Sequence, residues 1–317
     1  MVPSVKSVVT GGAGFIGSHL VDSLATRGDE VLVLDDFSSG KRENLADALE
    51  SGAEVIELDV ADAQAMFDAV GAYKPQNLFH LAAQIDVRRS MADPGFDARL
   101  NVVGTVNALE AATRAGAAKF VFTSTGGAIY GEGAERSDEL PFAEDAPCEP
   151  FSIYGQSKLA AEGYIGLYGR TRGLAGTTVR LGNIYGPRQD PATEAGVVAI
   201  FCEAGRDGGR PTVFGTGEQT RDYVHVADVV AALIAAQESD DTGPINVGTG
   251  VETSVLRLAE LIGRASGRDD FEPEFAPARE GEIERTALDT ARAAERLGWR
   301  AECTIEAGIE QTIEAGA

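Results

Sequence analysis

Gly11-Gly12-Ala13-Gly14-Phe15-Ile16-Gly17 stands between a β-branched run, Val5–Thr10, and an apolar-periodic stretch, Ser18–Arg27. A glycine-rich turn that leaves a strand and opens a helix restricts a chain to few folds. Gly11 permits the tight turn, Gly14 lets backbone approach a pyrophosphate, and Gly17 lets helix and strand pack closely. The N–H groups at such a helix start carry partial positive charge and suit phosphate. The spacing here is G-x-x-G-x-x-G rather than G-x-G-x-x-G. Glycine turns without a nucleotide exist, so the flanking strand and helix carry the reading as much as the glycines do.

From Val5 to about residue 180, short apolar runs alternate with helical patterns. Val5–Thr10, Glu30–Asp35, Glu54–Leu58, Asn77–Leu81, Lys119–Ser124 and Thr177–Leu181 read as strands. Ser18–Arg27, Ala63–Tyr73, Asp97–Ala115 and Ser152–Arg172 read as helices. This alternation predicts βαβ units and a parallel sheet with right-handed crossovers. The expected fold is α/β, a doubly wound (Rossmann) domain over 1–182. After Asn183 a series of prolines and glycines, from Pro187 to Gly217, breaks the pattern. Helices return at Val226–Glu238, Val255–Ala265, Leu288–Leu297 and Ile305–Ile313. A smaller C-terminal α/β lobe over 183–317 is expected, with some interleaving of segments and a ligand cleft between the lobes.

At 317 residues and 44% hydrophobic content, the chain can bury one large core and a smaller one. No apolar run reaches the ~18 residues that span a bilayer. The first strand begins too early to leave room for a signal peptide. Cys148, Cys202 and Cys303 lie far apart, with neither metal-ligand spacing nor a disulfide framework. A cytoplasmic protein without a metal is expected. A formal net charge of -23, with 50 Asp plus Glu, disfavours nucleic acid and anionic membranes as partners. The charge is spread along the chain and reads as a solvated acidic surface. An anionic ligand must then be met by helix N-termini and a few arginines.

Tyr154-Gly155-Gln156-Ser157-Lys158 sets a phenol and an ammonium four residues apart, on one face of a helix. A phenol ionises near ~10 and is a poor base at neutral pH. A neighbouring ammonium stabilises the phenolate. The pair can take a proton from a substrate hydroxyl while a nicotinamide takes the hydride; the bland reading is an exposed helix pair. Asp35 closes the second strand, where a carboxylate accepts from ribose hydroxyls and repels the 2′-phosphate of NADP. Asp36 adds a second charge. Asp59-Val60 resembles an adenine-contacting pair, and Asp59 can equally cap the next helix.

Ordered motifs run the length of the chain. They are G-G-A-G-F-I-G-S-H-L at 11–20, L-D-D-F-S-S-G at 34–40, H-L-A-A-Q at 80–84 and T-S-T-G-G-A-I-Y-G at 123–131. Y-G-Q-S-K at 154–158, N-I-Y-G-P-R-Q at 183–189, V-F-G-T-G-E-Q-T-R-D-Y-V-H-V-A-D at 213–228 and N-V-G-T-G at 246–250 follow. With these motifs the chain resembles the extended short-chain dehydrogenase/reductase family, most closely its UDP-glucose (UDP-galactose) 4-epimerases.

The resemblance implies a tightly held NAD that is regenerated in each turnover. Tyr154 would take the proton of the sugar 4-hydroxyl, and Lys158 would bond the nicotinamide ribose and hold Tyr154 ionised. A 4-keto sugar would turn before hydride returns to its other face. Cofactor contacts are implied at Gly11, Gly14, Phe15, Ile16, Gly17, Asp35, Asp36, Ser38, Ser39, Gly40, Asp59, Val60, Leu81, Ala82, Ala83, Gln84, Asn101, Thr123, Tyr154, Lys158 and Leu181. Gln84-Ile85 stands where some epimerases place a Lys.

The family's catalytic hydroxyl precedes a Tyr-Gly, here Tyr130-Gly131, with one extra residue in this chain. Thr125 is assigned that role, with Ser124 second; Ser124 can instead be a strand-end hydroxyl bonded to backbone. The family's dehydratases carry an Asp-Glu pair where Gly126-Gly127 stand, and its decarboxylases a Glu nearby. Neither carboxylate is present. On the UDP-sugar side the resemblance implies Thr125, Asn183, Val197, Val213, Arg221, Arg279 and Glu282, with Arg221 and Arg279 on the pyrophosphate. Guanidinium forks suit phosphate oxygens, although either arginine could instead form an ion pair, and Arg188 could also serve. Glu282 is one methylene longer than the family's Asp. His80 and His225 read as packed or capping histidines.

Thr286, at a position where a bulky Tyr excludes N-acetylated sugars, leaves room for UDP-N-acetylglucosamine as a substrate. Epimerisation of UDP-glucuronate, a dehydratase or decarboxylase activity, and a non-catalytic dinucleotide sensor also stay open. Family likeness implies a homodimer through Asp97–Ala115 and Ser152–Arg172. From Asp35 and Asp36, NAD is expected to bind at least tenfold more tightly than NADP by equilibrium titration, one decade being about 1.4 kcal/mol. Equal affinities would contradict the reading of Asp35.

Overall fold

The computed structural model describes residues 4–192, 196–279 and 282–316. The chain divides into two compact units. The first takes segments ending at Thr125, Ser152–Arg180 and Val230–Ile245; the second takes Gly126–Phe151, Leu181–Val229 and the segment from Asn246.

Strands and helices alternate as the apolar periodicity demands. β1 (Lys6–Thr10), α1 (Phe15–Arg27), β2 (Glu30–Asp35), α2 (Ala46–Glu50), β3 (Glu54–Glu57), α3 (Ala63–Tyr73) and β4 (Asn77–His80) come first. α4 (Val87–Ala92), α5 (Pro94–Ala98), α6 (Gly104–Ala115) and β5 (Lys119–Thr125) follow. α7 (Gly126–Ile129), α8 (Ile153–Arg172) and β6 (Ala175–Leu181) come next. Then β7 (Asn183–Tyr185), α9 (Val197–Asp207), β8 (Thr212–Phe214), β9 (Thr220–His225), α10 (Val226–Glu238) and β10 (Gly243–Val247). β11 (Glu252–Ser254), α11 (Val255–Ala265), β12 (Glu274–Ala276), α12 (Ala291–Arg296) and α13 (Ile305–Glu314) complete the order.

The central sheet has seven strands in the order β10-β6-β5-β4-β1-β2-β3, and β1 to β5 pair in parallel. The strand order reverses between β1 and β4, the switch point at which doubly wound sheets bind ligands. The runs of β1, β2, β4 and β5 are buried on both faces, as strands of a covered parallel sheet must be, whereas the edge strand β3 is largely exposed. Val8, Leu32, Leu78 and Phe120 meet Met66 and Val70 of α3, Leu109 and Ala112 of α6, and Ile165 of α8.

Several elements differ from the sequence expectation. The helix expected over Asp97–Ala115 is broken. Pro94 opens α5, and the backbone passes through a π-helical turn over Arg99–Val103 before α6 begins. A π turn shifts side-chain register, and here it buries Asn101. The helix expected over Leu288–Leu297 shrinks to α12, because Leu288 pairs with Phe142 as an isolated bridge. The seventh strand, β10, has no clear sequence signal; Gly243-Pro244 masks its short apolar run.

The second unit has its own core of Tyr185, Val198, Phe201, Val213, Leu258, Ile262, Phe271 and Ile309. A three-stranded sheet, β11-β9-β7, and a parallel pair, β12-β8, frame it. Asp222 of β9 is buried and accepts from Thr249 N at 2.7 Å, Thr249 Oγ1 at 2.6 Å, Gly250 N at 3.0 Å and Leu288 N at 3.2 Å. A Cβ on Gly248 would come within 2.5 Å of that carboxylate, which explains the glycine in the motif at 246–250. Leu109 is fully buried in the first core. Leu109→Ala is expected to lower the unfolding free energy by about 2–5 kcal/mol, read by urea denaturation.

Candidate active site

Gly11 leaves β1 with φ +68, and a Cβ there would lie 2.6 Å from Ala82 N. At Gly17 a Cβ would lie 2.1 Å from Gly11 O. These two glycines are required by backbone packed on backbone. Gly14 differs: a Cβ there would meet only Gly11 O, at an ordinary 3.4 Å. Gly14 is also the N-cap of α1, with no side-chain cap. Its missing side chain therefore leaves the helix start, where Phe15 is buried and Ile16 partly so, open to an anion.

Asp35 is buried at the end of β2. Its Oδ2 accepts from Ala13 N at 2.8 Å and its Oδ1 from Phe37 N at 2.9 Å. Burial pushes its pKa up, and the two N–H donors oppose that. Gly40 lies against it, since a Cβ there would come within 3.0 Å of Oδ1. Asp36 is exposed and accepts from Ser38 N and Oγ, with Ser39 exposed beside it. Asp59 does not cap α3; Asp62 does, accepting from Gln64 N and Ala65 N. Asp59 instead accepts from Ala61 N and pairs with Arg99 at 3.0 Å, next to buried Val60.

Past β4, Leu81 N donates to Thr10 O and Ala82 N to Thr10 Oγ1. Ala83 is partly buried. Asn101 then ties this loop to two helices. Its Oδ1 accepts from Gln84 N at 2.9 Å; its Nδ2 donates to Gln84 O at 2.9 Å, and to Asp97 Oδ2 and Ser157 Oγ at 3.1 Å.

Ser152 caps α8 by accepting from Gly155 N. Tyr154, half-buried in the first turn, takes a hydrogen bond from the Thr125 hydroxyl. Lys158, one turn on, is buried; its Nζ donates to Thr123 O at 2.9 Å and lies 4.7 Å from the centre of the Phe122 ring. Thr123 Oγ1 bonds His80 O at 3.4 Å. Burial pushes the Tyr154 phenol up, the Thr125 bond pulls it down, and the Asp97 charge raises it further. Lys158 is expected from sequence to ionise Tyr154. In the folded chain its ammonium turns to the Thr123 carbonyl, and Thr125 supplies the opposing stabilisation. Burial pushes Lys158 down to about 8, against the charges of Asp97 and Glu162.

The two candidate hydroxyls part company. Ser124 Oγ donates to Glu162 Oε1 at 2.5 Å, not to backbone. Of the two, Thr125 is the one whose hydroxyl bonds the Tyr154 phenol. Gly126, the position of a dehydratase carboxylate, packs against Leu288; a Cβ there would lie 2.6 Å from its methyls. His80 is buried between Thr10 Oγ1 at 2.7 Å and Thr105 Oγ1 at 3.1 Å, and burial pushes it down to about 3, so it stays neutral. His225 lies edge-on to Tyr185, with Ala227 N donating to Nδ1.

In the second unit, Asn183 opens β7 beside Tyr223. Arg221 donates to Thr220 O at 2.8 Å and pairs with Glu282 at 3.8 Å. The Arg279 guanidinium is exposed and stacks 3.7 Å from the centre of the Phe214 ring. Glu280 and Gly281 lie outside the described residues. Val197 opens α9, whereas Val213, Leu181 and Thr286 are buried. Sequence reasoning missed Asp97, Glu162 and Arg180. The available signals were Arg180 inside an apolar strand and Glu162 one helical turn after Lys158.

A sequence profile described as the NAD dependent epimerase/dehydratase family matches residues 7–248. The chain belongs to that family. Among relatives, a UDP-glucose 4-epimerase of Mycolicibacterium smegmatis is 47% identical over 312 residues, 98% of each chain. Among solved structures, the UDP-glucose 4-epimerase of Thermotoga maritima with UDP-glucose superposes with TM-score 0.93 at 42% identity, covering 98% of each chain. That of Thermus thermophilus with NAD gives 0.89 at 40%, again covering 98% of each. The open cradle at Gly14, the Asp35 carboxylate and buried Lys158 fit the NAD of the family name.

Thr125→Val is expected to lower kcat by about 10²-fold or more, and Ser124→Ala by less than tenfold, in a coupled turnover assay. Lys158 carries its proton below about pH 8 and loses it above. kcat/KM is therefore expected to fall on the alkaline side of that value.

Proposed function

We infer that this chain interconverts UDP-glucose and UDP-galactose by reversible oxidation at sugar C4. The observation that carries the reading is a Tyr154 phenol bonded to Thr125, one helical turn from buried Lys158, with glycine at 126 and 127. NAD supplies the acceptor, and then the donor, of the C4 hydride. Tyr154 removes the 4-hydroxyl proton and returns it. Thr125 bonds the same sugar oxygen, holding it against the phenol. Lys158, one helical turn after Tyr154, is held by the Thr123 carbonyl. With no carboxylate at 126 or 127, no side chain there removes a further proton, so water is not eliminated and the ketone is reduced again.

Arg221 and Arg279 are the proposed pyrophosphate grips, with Asn183, Val197, the Val213 backbone and Glu282 completing the UDP-sugar contacts. No described helix is long and apolar enough to cross a membrane. Together with the acidic composition, this supports a soluble cytoplasmic enzyme. Val103 beside α6, and Tyr164 and Leu167 on α8, are 47%, 41% and 43% exposed. These apolar side chains support a homodimer joined through the two helices.

The test is conversion of UDP-glucose followed by NMR of the sugar anomeric protons. Tyr154→Phe is expected to abolish turnover by about 10³-fold or more while NAD binding survives. Full activity in that variant would remove Tyr154 from the mechanism.

A further inference from the structure

Glu162 follows Lys158 by one helical turn on the same face of α8. It forms an enclosed ion pair with Arg180 of β6, the two side chains being 10% and 6% exposed. Its Oε1 accepts from Ser124 Oγ at 2.5 Å and from Arg180 Nε at 3.1 Å, and its Oε2 accepts from Arg180 Nη2 at 2.7 Å. Apolar side chains can commonly replace a buried ion pair without loss of stability, so stability alone does not account for this one. Its position does. Ser124 stands between Thr123, whose carbonyl holds Lys158, and Thr125, whose hydroxyl bonds Tyr154. One carboxylate on the helix that carries Tyr154 and Lys158 thus grips the strand between their two partners.

We propose that Glu162 is a positioning residue: it fixes α8 against β5 so that Tyr154 meets Thr125 and Lys158 meets Thr123, and it sets a negative charge one helical turn from Lys158. The proposal rests on the epimerase reading above. The charged and titratable groups that act on Lys158 are Glu162 from α8 and Asp97 from α5, with neutral His80 of β4 beside it, Tyr154 one turn earlier on α8, and Arg180 of β6 paired to Glu162. Asp97 and Glu162 both favour the ammonium. Arg180 offsets part of the Glu162 charge.

The test uses the full chain with lysine labelled by ¹³C at Cε, titrated by NMR without substrate. The chain has five lysines, Lys6, Lys41, Lys74, Lys119 and Lys158, and Lys158→Met assigns the signal. Glu162→Gln is expected to lower the Lys158 midpoint by about half a pH unit or more, and Arg180→Met to raise it. In turnover, Glu162→Gln should lower kcat about tenfold with KM for UDP-glucose little changed, its alkaline limb moving to lower pH. An unmoved midpoint, or shifts of the same sign in both variants, would overturn the proposal. If Arg180→Met unfolds, the sign for Glu162→Gln decides alone, because unfolding moves Lys158 up toward ~10.4 rather than down. If Glu162→Gln unfolds, Ser124→Ala decides. It keeps the charge and frees the strand, so kcat should fall threefold or more at an unchanged midpoint, and an unchanged kcat overturns the proposal. Failure of the wild-type chain to convert UDP-glucose would instead sink the epimerase reading, leaving the lysine midpoints to judge Glu162.

Discussion

A protonated amine inside a protein needs partners, and Lys158 has few: one carbonyl oxygen, one ring face and the fields of two carboxylates. Much of the first unit is arranged around that need. β5 ends where its Thr123 carbonyl can receive the ammonium. The π turn before α6 turns Asn101 inward, where it ties together the loop after β4, Asp97 and α8. The cost of burial falls on Lys158, which is left close to losing its proton near neutral pH. The same surroundings push Tyr154 away from ionising, so the two groups are poised in opposite directions and each depends on local hydrogen bonds to be usable.

The scaffold of this arrangement is legible in the sequence. Gly11 and Gly17 are dictated by backbone contact, and the apolar runs of β1, β2, β4 and β5 announce strands covered on both faces. Tyr154 and Lys158 announce themselves by helical spacing. What stays hidden depends on where neighbouring side chains point. Ser124 and Thr125 are adjacent hydroxyls, and only the packing of α8 on β5 sends one to Glu162 and the other to Tyr154. Glu162 looks like an ordinary solvent-facing helix residue until Arg180 is seen opposite it. Asp97 lies at a helix start that the sequence reads as continuous. β10 is hidden because its few residues follow Gly243-Pro244, and their burial comes from a neighbour, β6, far away in sequence.

The second unit shows the same limit. Asp222 sits in a motif whose neighbours suggest ligand chemistry, yet its carboxylate is used to hold the turn at Thr249-Gly250 and the backbone at Leu288. Arg221 beside it pairs with Glu282, while Arg279 rests on Phe214. The two proposed phosphate grips therefore begin from different states, one paired with a carboxylate and one lying on an aromatic ring.

The interleaving of the two units bears on how such chains can be recombined. The chain passes from one unit to the other after Thr125, Phe151, Arg180, Val229 and Ile245. A hybrid that joined the front of one relative to the back of another at a single point would mix parentage inside at least one unit. A join between β6 and β10 would separate β10 from the strand it pairs with. Exchange of whole units between relatives requires several coordinated junctions, so their divergence is better followed by single substitutions than by module swaps.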